Sequence, residues 1–204
     1  MKSNRSPFTQ MPLVTVLAVV LALGVASESL ATPVLDQSSS SAVISSTNAT
    51  NTNPRGQTFT VGLTGILTQI DLEVNGDNST IVLDVMSVSG GLPTGIVLAS
   101  ATNPTDAGGT KTFDLSAASL NVTVGEVLAF IISGPGLYGY QSTADTYAGG
   151  TRVSSNNSGA SWILNSTTDS NFSTFVEVVP EPSTGLLLGI ALLGVAASGR
   201  RRRA

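Results

Sequence analysis

Residues 66–74 read ILTQIDLEV. Side chains at Ile66, Thr68, Ile70, Leu72 and Val74 alternate with polar ones at Gln69, Asp71 and Glu73, the pattern of a strand with one buried face. Asn75, Gly76, Asp77 and Asn78 follow, and Asn and Gly tolerate the positive φ of a tight turn. TIVLDVMSV over 80–88 then supplies a return strand, so an antiparallel hairpin is expected. The turn also offers oxygen ligands to calcium, but it lacks the spacing of an EF-hand loop, and no metal site is expected there.

Outward from this pair, short runs separated by Gly, Asn and Pro recur at 57–61, 96–101, 111–115, 120–124, 126–133, 137–142, 161–164 and 172–179. No window between them sustains the apolar stripe of a helix, so the expectation is an all-β domain over 55–179, a sandwich or jelly roll of about nine strands. Upstream, residues 32–54 are mostly Ser, Thr, Asn and Ala, too polar to bury a face, and read as a flexible lead-in.

The 204 residues are 41% apolar, 11% charged and 5% aromatic, with net charge −4. Cysteine and histidine are absent, which removes disulfides, thiolate chemistry, the commonest metal ligand and the commonest neutral-pH base. No cofactor is expected. Between residues 32 and 179 the cations are Arg55, Lys111 and Arg152 against scattered acids, a balance that excludes the clustered basic surface nucleic acid requires. A carboxylate glycosidase is the one common enzyme type left open, but Asp71, Asp84, Asp114 and Asp145 show no paired spacing and read as solvated charge. No catalytic residue is expected. A carbohydrate-binding role would draw on Tyr138, Tyr140, Tyr147 and Trp162 as ring platforms with Asp145 as a hydroxyl partner.

The ends differ from the middle. Lys2 and Arg5 precede an apolar run over 13–26 and a Ser29-Leu30-Ala31 site, the layout of a signal peptide handled by the Sec translocon and cut after Ala31, or alternatively after Ala26. That run of about 14 residues falls short of the roughly 20 a spanning helix needs. At the other end, over 180–204, Pro180, Glu181 and Pro182 precede an apolar stretch at 185–197 and then Arg200, Arg201, Arg202 and Arg203. The prolines stiffen an extended segment, the apolar stretch is a transmembrane-helix candidate, and the arginines would hold its end in the cytoplasm.

The order Pro-Glu-Pro, short apolar helix, Arg cluster resembles the PEP-CTERM sorting signal of Gram-negative bacteria. The resemblance implies recognition by a membrane-embedded exosortase, transient anchoring at the inner membrane, and a destination at the cell surface or outside the cell, in bacteria that make exopolysaccharide and biofilm. FTVGLTGILTQIDLEV, TFDLSAASLNVTVGEVLAFIISG and TYAGG look like the β-sandwich ectodomains, called choice-of-anchor domains, that accompany such tails. The resemblance thus implies a structural or adhesive role, with exopolysaccharide as a partner.

Overall fold

The computed structural model describes residues 32–75, 80–104, 109–135, 137–142 and 144–178. The signal-peptide segment, the tail from residue 179 and the turn at 76–79 lie outside them. Contacts divide the chain after Leu30, and everything described belongs to the unit from Ala31 onward.

In chain order the strands are β1 (Val34–Ser39), β2 (Val43–Ala49), β3 (Arg55–Thr60), β4 (Gly65–Asn75), β5 (Thr80–Ser89), β6 (Leu92–Pro104), β7 (Gly109–Asp114), β8 (Leu120–Val122), β9 (Val127–Ser133), β10 (Leu137–Ser142), β11 (Arg152–Ser154), β12 (Ile163–Asn165) and β13 (Phe172–Glu177), with one short 3-10 turn at Ser116–Ala118. They form two sheets. The six-stranded sheet runs β12-β11-β3-β9-β5-β6, and the seven-stranded one is built around β4. Ile70 pairs with Thr174 of β13 and with Phe113 of β7, whereas Val74 pairs with Gly139 of β10 and Gly109 of β7. A strand has two edges, so β13 and β10 lie in tandem along one edge of β4, with β7 and β8 along the other.

The inner faces meet in one apolar core. Leu67, Ile70, Leu72 and Val74 of β4, Phe113 of β7 and Phe172 of β13 pack with Phe59 of β3, Ile81, Leu83 and Val85 of β5, and Leu128, Phe130 and Ile132 of β9. Phe172 sits at the crossing point, its ring centroid 5.2 Å from Phe130, 6.3 Å from Phe59 and 5.1 Å from Tyr147, the last edge-on at 87°. Two antiparallel sheets sharing a core in this way make a β-sandwich-like domain.

Three expectations are corrected. The hairpin between 66–74 and 80–88 does not form: β4 and β5 belong to different sheets, and β5 instead folds back onto β6 through Gly90 (φ 60°) and Gly91 (φ 81°). Alternation says which face of a strand is buried, but not which strand lies beside it. Secondly, the alternation in β4 breaks. The register with β13 steps from Leu67↔Val176 to Gln69↔Phe175, leaving Thr68 as an extra residue, so Leu67 rather than Ile66 faces the core below this bulge. The Thr68 hydroxyl donates to the Phe175 carbonyl (3.3 Å), and its carbonyl accepts from Leu115 N (2.8 Å).

The third correction concerns 32–54, which holds β1 and β2 in place of a flexible lead-in. Apolar burial contributes little to β1, since Val34 and Leu35 stay exposed. Polar contacts hold it to β13: Gln37 N donates to Thr174 Oγ1 (3.1 Å), and Asp36 accepts from Gly62 N (2.9 Å) and Thr174 Oγ1 (3.3 Å). A ladder with polar anchors orders a segment that composition alone marks as loose.

Candidate functional site

The outer face of the six-stranded sheet carries a second, smaller apolar cluster. Ala129 and Ile131 of β9 and Val153 of β11 are buried there, with Met86, Val88 and Trp162 packed against them. A loop from Ser155 to Ser161 places the indole. The Ser155 hydroxyl donates to Asn157 Oδ1 (2.8 Å) and accepts from Asn157 N (3.2 Å) and Gly159 N (2.9 Å), while Asn157 is tied to Ser161 through Oδ1 (2.9 Å) and Nδ2 (2.8 Å). Ser158 N donates to Thr52 O (2.9 Å), tying the loop to the bend between β2 and β3. At Gly159 a Cβ would lie 3.5 Å from the Trp162 ring, so the bare backbone lies alongside the indole.

Beside Trp162 opens a cleft of about 130 Å³ whose lining includes Ile131, Met86, Asp84, Ser133, Asn51 and Ser158. Asp84 accepts from the Ser100 hydroxyl (2.7 Å), which orients the carboxylate. An indole edge, an apolar floor, one carboxylate and several hydroxyl or amide groups suit a sugar ring, which offers C–H patches to aromatic faces and hydroxyls to acceptors.

Of the sequence-predicted aromatics whose side chains are described, Trp162 and Tyr147 do not share this cleft. Trp162 is half-buried at its wall, while Tyr147 is 8% exposed inside the other core. The Tyr147 hydroxyl donates to Gln37 Oε1 (3.0 Å) and accepts from Thr60 N (3.4 Å), and burial pushes its pKa up to about 12. Tyr138 and Tyr140 stand on β10, where Tyr138 pairs with Asn48 and Asn75 and Tyr140 with Ser46; their side chains lie outside the described ones. Asp145 is exposed, away from the cleft lining. Sequence reading missed Asp84 and Met86 as cleft residues, although both lie on the outward face of β5, two residues apart.

Two carboxylates do meet. The charge of buried Asp169 raises the pKa of Asp145 above the ordinary range, with desolvation and a hydrogen bond to Asp169 adding to it. Asp169 also accepts from Gln57 Nε2, Thr146 N and Tyr147 N, each at 2.7 Å, so it serves as a node joining β3 to the loop before β11. Between the pKa of an unfolded Asp and the raised folded value the folded chain holds a proton that the unfolded chain has lost; above that window Asp145 is ionised in both states, and its repulsion with Asp169 destabilises the fold in full. Asp145→Asn should therefore raise the melting temperature at about pH 7 and leave it unchanged at about pH 3, where both states are protonated. An equal shift at both pH values in calorimetry would rule out the charge pair as the cause. Among the described residues no group of three or more acids could hold a metal ion.

Pro180, Glu181 and Pro182 and the four terminal arginines lie outside the described residues, and comparison with known families bears on them instead. No curated protein matches the chain. Residues 178–203, the segment holding Pro180-Glu181-Pro182 and Arg200, Arg201, Arg202 and Arg203, match the PEP-CTERM protein-sorting motif. The chain thus carries a PEP-CTERM sorting motif, which implies exosortase-dependent sorting toward the cell surface.

Proposed function

We propose that this chain is an exported surface or matrix protein whose β-sandwich has a structural or adhesive role within an exopolysaccharide matrix, and which turns over no substrate. The N-terminal segment directs it through the Sec translocon, the apolar tail helix holds it transiently at the inner membrane with the sandwich outward, and an exosortase acts at the tail. The match of residues 178–203 to the sorting motif carries the reading. The all-β sandwich agrees with a choice-of-anchor ectodomain, and a chain without histidine or cysteine is poorly equipped for catalysis. Fractionation of the tagged chain in cells with and without an exosortase tests it. Release from the membrane in exosortase-positive cells alone is expected, and identical fractionation in both would overturn it.

The cleft beside Trp162 favours a second reading, in which the sandwich binds glycan. Trp162→Ala should weaken binding to a neutral oligosaccharide panel by about tenfold, the ~1.4 kcal/mol of one stacked ring. Isothermal titration showing unchanged affinity would remove the cleft from consideration.

A further inference from the structure

Two of the three cations in the described domain, Arg55 and Arg152, are brought together. β3 and β11 pair antiparallel, with Arg55 opposite Ser154 and Arg152 opposite Gln57. Residues two apart share a face, so both arginines lie on the inner face that also carries Gln57 and Phe59, as diagonal neighbours across the ladder. They line a small cavity at the margin of the core together with Glu73, Phe130, Ser170 and Asn171.

This arrangement sets like charges side by side. Both guanidiniums are partly buried, and the neighbouring charge that acts on Arg152 is that of Arg55. Burial first, and the neighbouring Arg55 second, lower the Arg152 pKa to about 10. Arg55 donates through Nη1 to Ser155 O (3.0 Å) and Asn156 Oδ1 (3.4 Å), while its Nε–H is buried without an acceptor. The carboxylate in the lining, Glu73, already accepts from Asn171 Nδ2 (3.1 Å). Like charges under partial desolvation repel more strongly than in water, and an anion between them reverses the sign of that term.

We infer that Arg55 and Arg152 form an oxyanion seat that takes the carboxylate of an acidic sugar unit, the ring remaining outside. Size and chemistry select this ligand. The cavity of about 20 Å³ has room for about one water-sized group, so it takes a carboxylate oxygen and excludes a ring. Guanidinium forks match a carboxylate's paired oxygens, and the orphaned Arg55 Nε–H supplies an unused donor. On a domain that is otherwise acidic, the seat gives an anionic polymer one defined point of attachment. The acidic-sugar assignment rests on the matrix role proposed above, whereas the seat itself rests on the geometry.

The test uses the full chain in a neutral detergent, followed by thermal melts with glucuronate, acetate, glucose and a uronic-acid oligosaccharide. Glucuronate and the oligosaccharide should raise the melting temperature and glucose should not. Arg152→Gln and Arg55→Gln should each weaken the glucuronate response about tenfold or more, and Glu73→Gln should strengthen it. Because Arg152→Gln removes a like-charge contact, that variant should melt no lower than the unaltered chain in anion-free buffer, which separates a lost seat from a lost fold. Equal glucuronate responses in the unaltered and Arg152→Gln chains would overturn the seat. A response to acetate but not to glucuronate would leave an anion site and overturn the acidic-sugar assignment, whatever the fractionation experiment returns.

Discussion

Phe172→Ala should cost the sandwich about 3–5 kcal/mol, a large fraction of the roughly 5–15 kcal/mol that holds an ordinary domain folded. The ring is 4% exposed and touches Phe59 and Phe130 of the opposite sheet and Tyr147 of the loop before β11, so truncation opens a cavity where the two layers meet. Its neighbours stand on paired strands, β3 against β9, and cannot collapse into the gap without breaking the ladder. Tyr147→Phe keeps the edge-on ring contact and loses the hydroxyl bridge to Gln37, which should cost about 1 kcal/mol. Ile96→Ala, on the β6 edge at 62% exposure, should change stability by less than about 0.5 kcal/mol. Urea unfolding followed by far-UV circular dichroism ranks the three. If Phe172→Ala costs no more than Ile96→Ala, the two sheets do not share the core described here.

How far the fold can be read in the sequence follows from the range of the forces involved. Strand positions were legible because burial of alternate side chains is a local matter: ILTQIDLEV marks β4, TIVLDVMSV marks β5, and both are strands. Partners were not. β4 is bordered by β13 from the far end of the domain, and no local pattern distinguishes that neighbour from the next strand along the chain. The Thr68 bulge was hidden for a related reason, since one inserted residue inverts the faces while leaving the alternating text intact. In β1 the hydrophobic pattern is silent, because Asp36 and Gln37 hold that strand through polar atoms whose partners, Gly62, Thr174 and Tyr147, lie elsewhere in the sequence.

The candidate sites divide in the same way. Trp162 could be singled out as a lone tryptophan, yet its companions Asp84 and Met86 reach it only because β5 and β9 lie side by side and the Ser155–Ser161 loop folds over them. Tyr147 reads identically in the sequence and faces the core, where Phe172 and Gln37 use both ends of the ring. Arg55 and Arg152 carry no mark of belonging together until β11 pairs with β3. The tail is the opposite case, since its information is linear: a fixed order of residue types is readable without any fold.

Changing Pro180, Glu181 and Pro182 together to Ala should leave membrane insertion intact and abolish release almost completely in a host with a cognate exosortase. The expectation joins features that a plain anchor does not require together. An anchor needs the apolar stretch at 185–197 and gains from arginines on its cytoplasmic side, but a Pro-Glu-Pro segment just before the stretch does nothing for retention. A processing enzyme does need such a segment, because prolines lack amide donors, resist helix and present the intervening backbone in extended form. In the topology proposed above, with Arg200, Arg201, Arg202 and Arg203 inside, the length of the apolar stretch would set Glu181 near the outer interface, within reach of an enzyme embedded in the same membrane. Replacing the four arginines by Ser should produce the complementary defect: weakened orientation and retention, with the recognition segment unaltered. A reporter carrying residues 178–204, examined by fractionation and by mass spectrometry of its new end, separates the two effects. If the triple-alanine tail is trimmed and released like the unaltered one, Pro180-Glu181-Pro182 is a linker, and sorting must depend on the apolar stretch and its arginines alone.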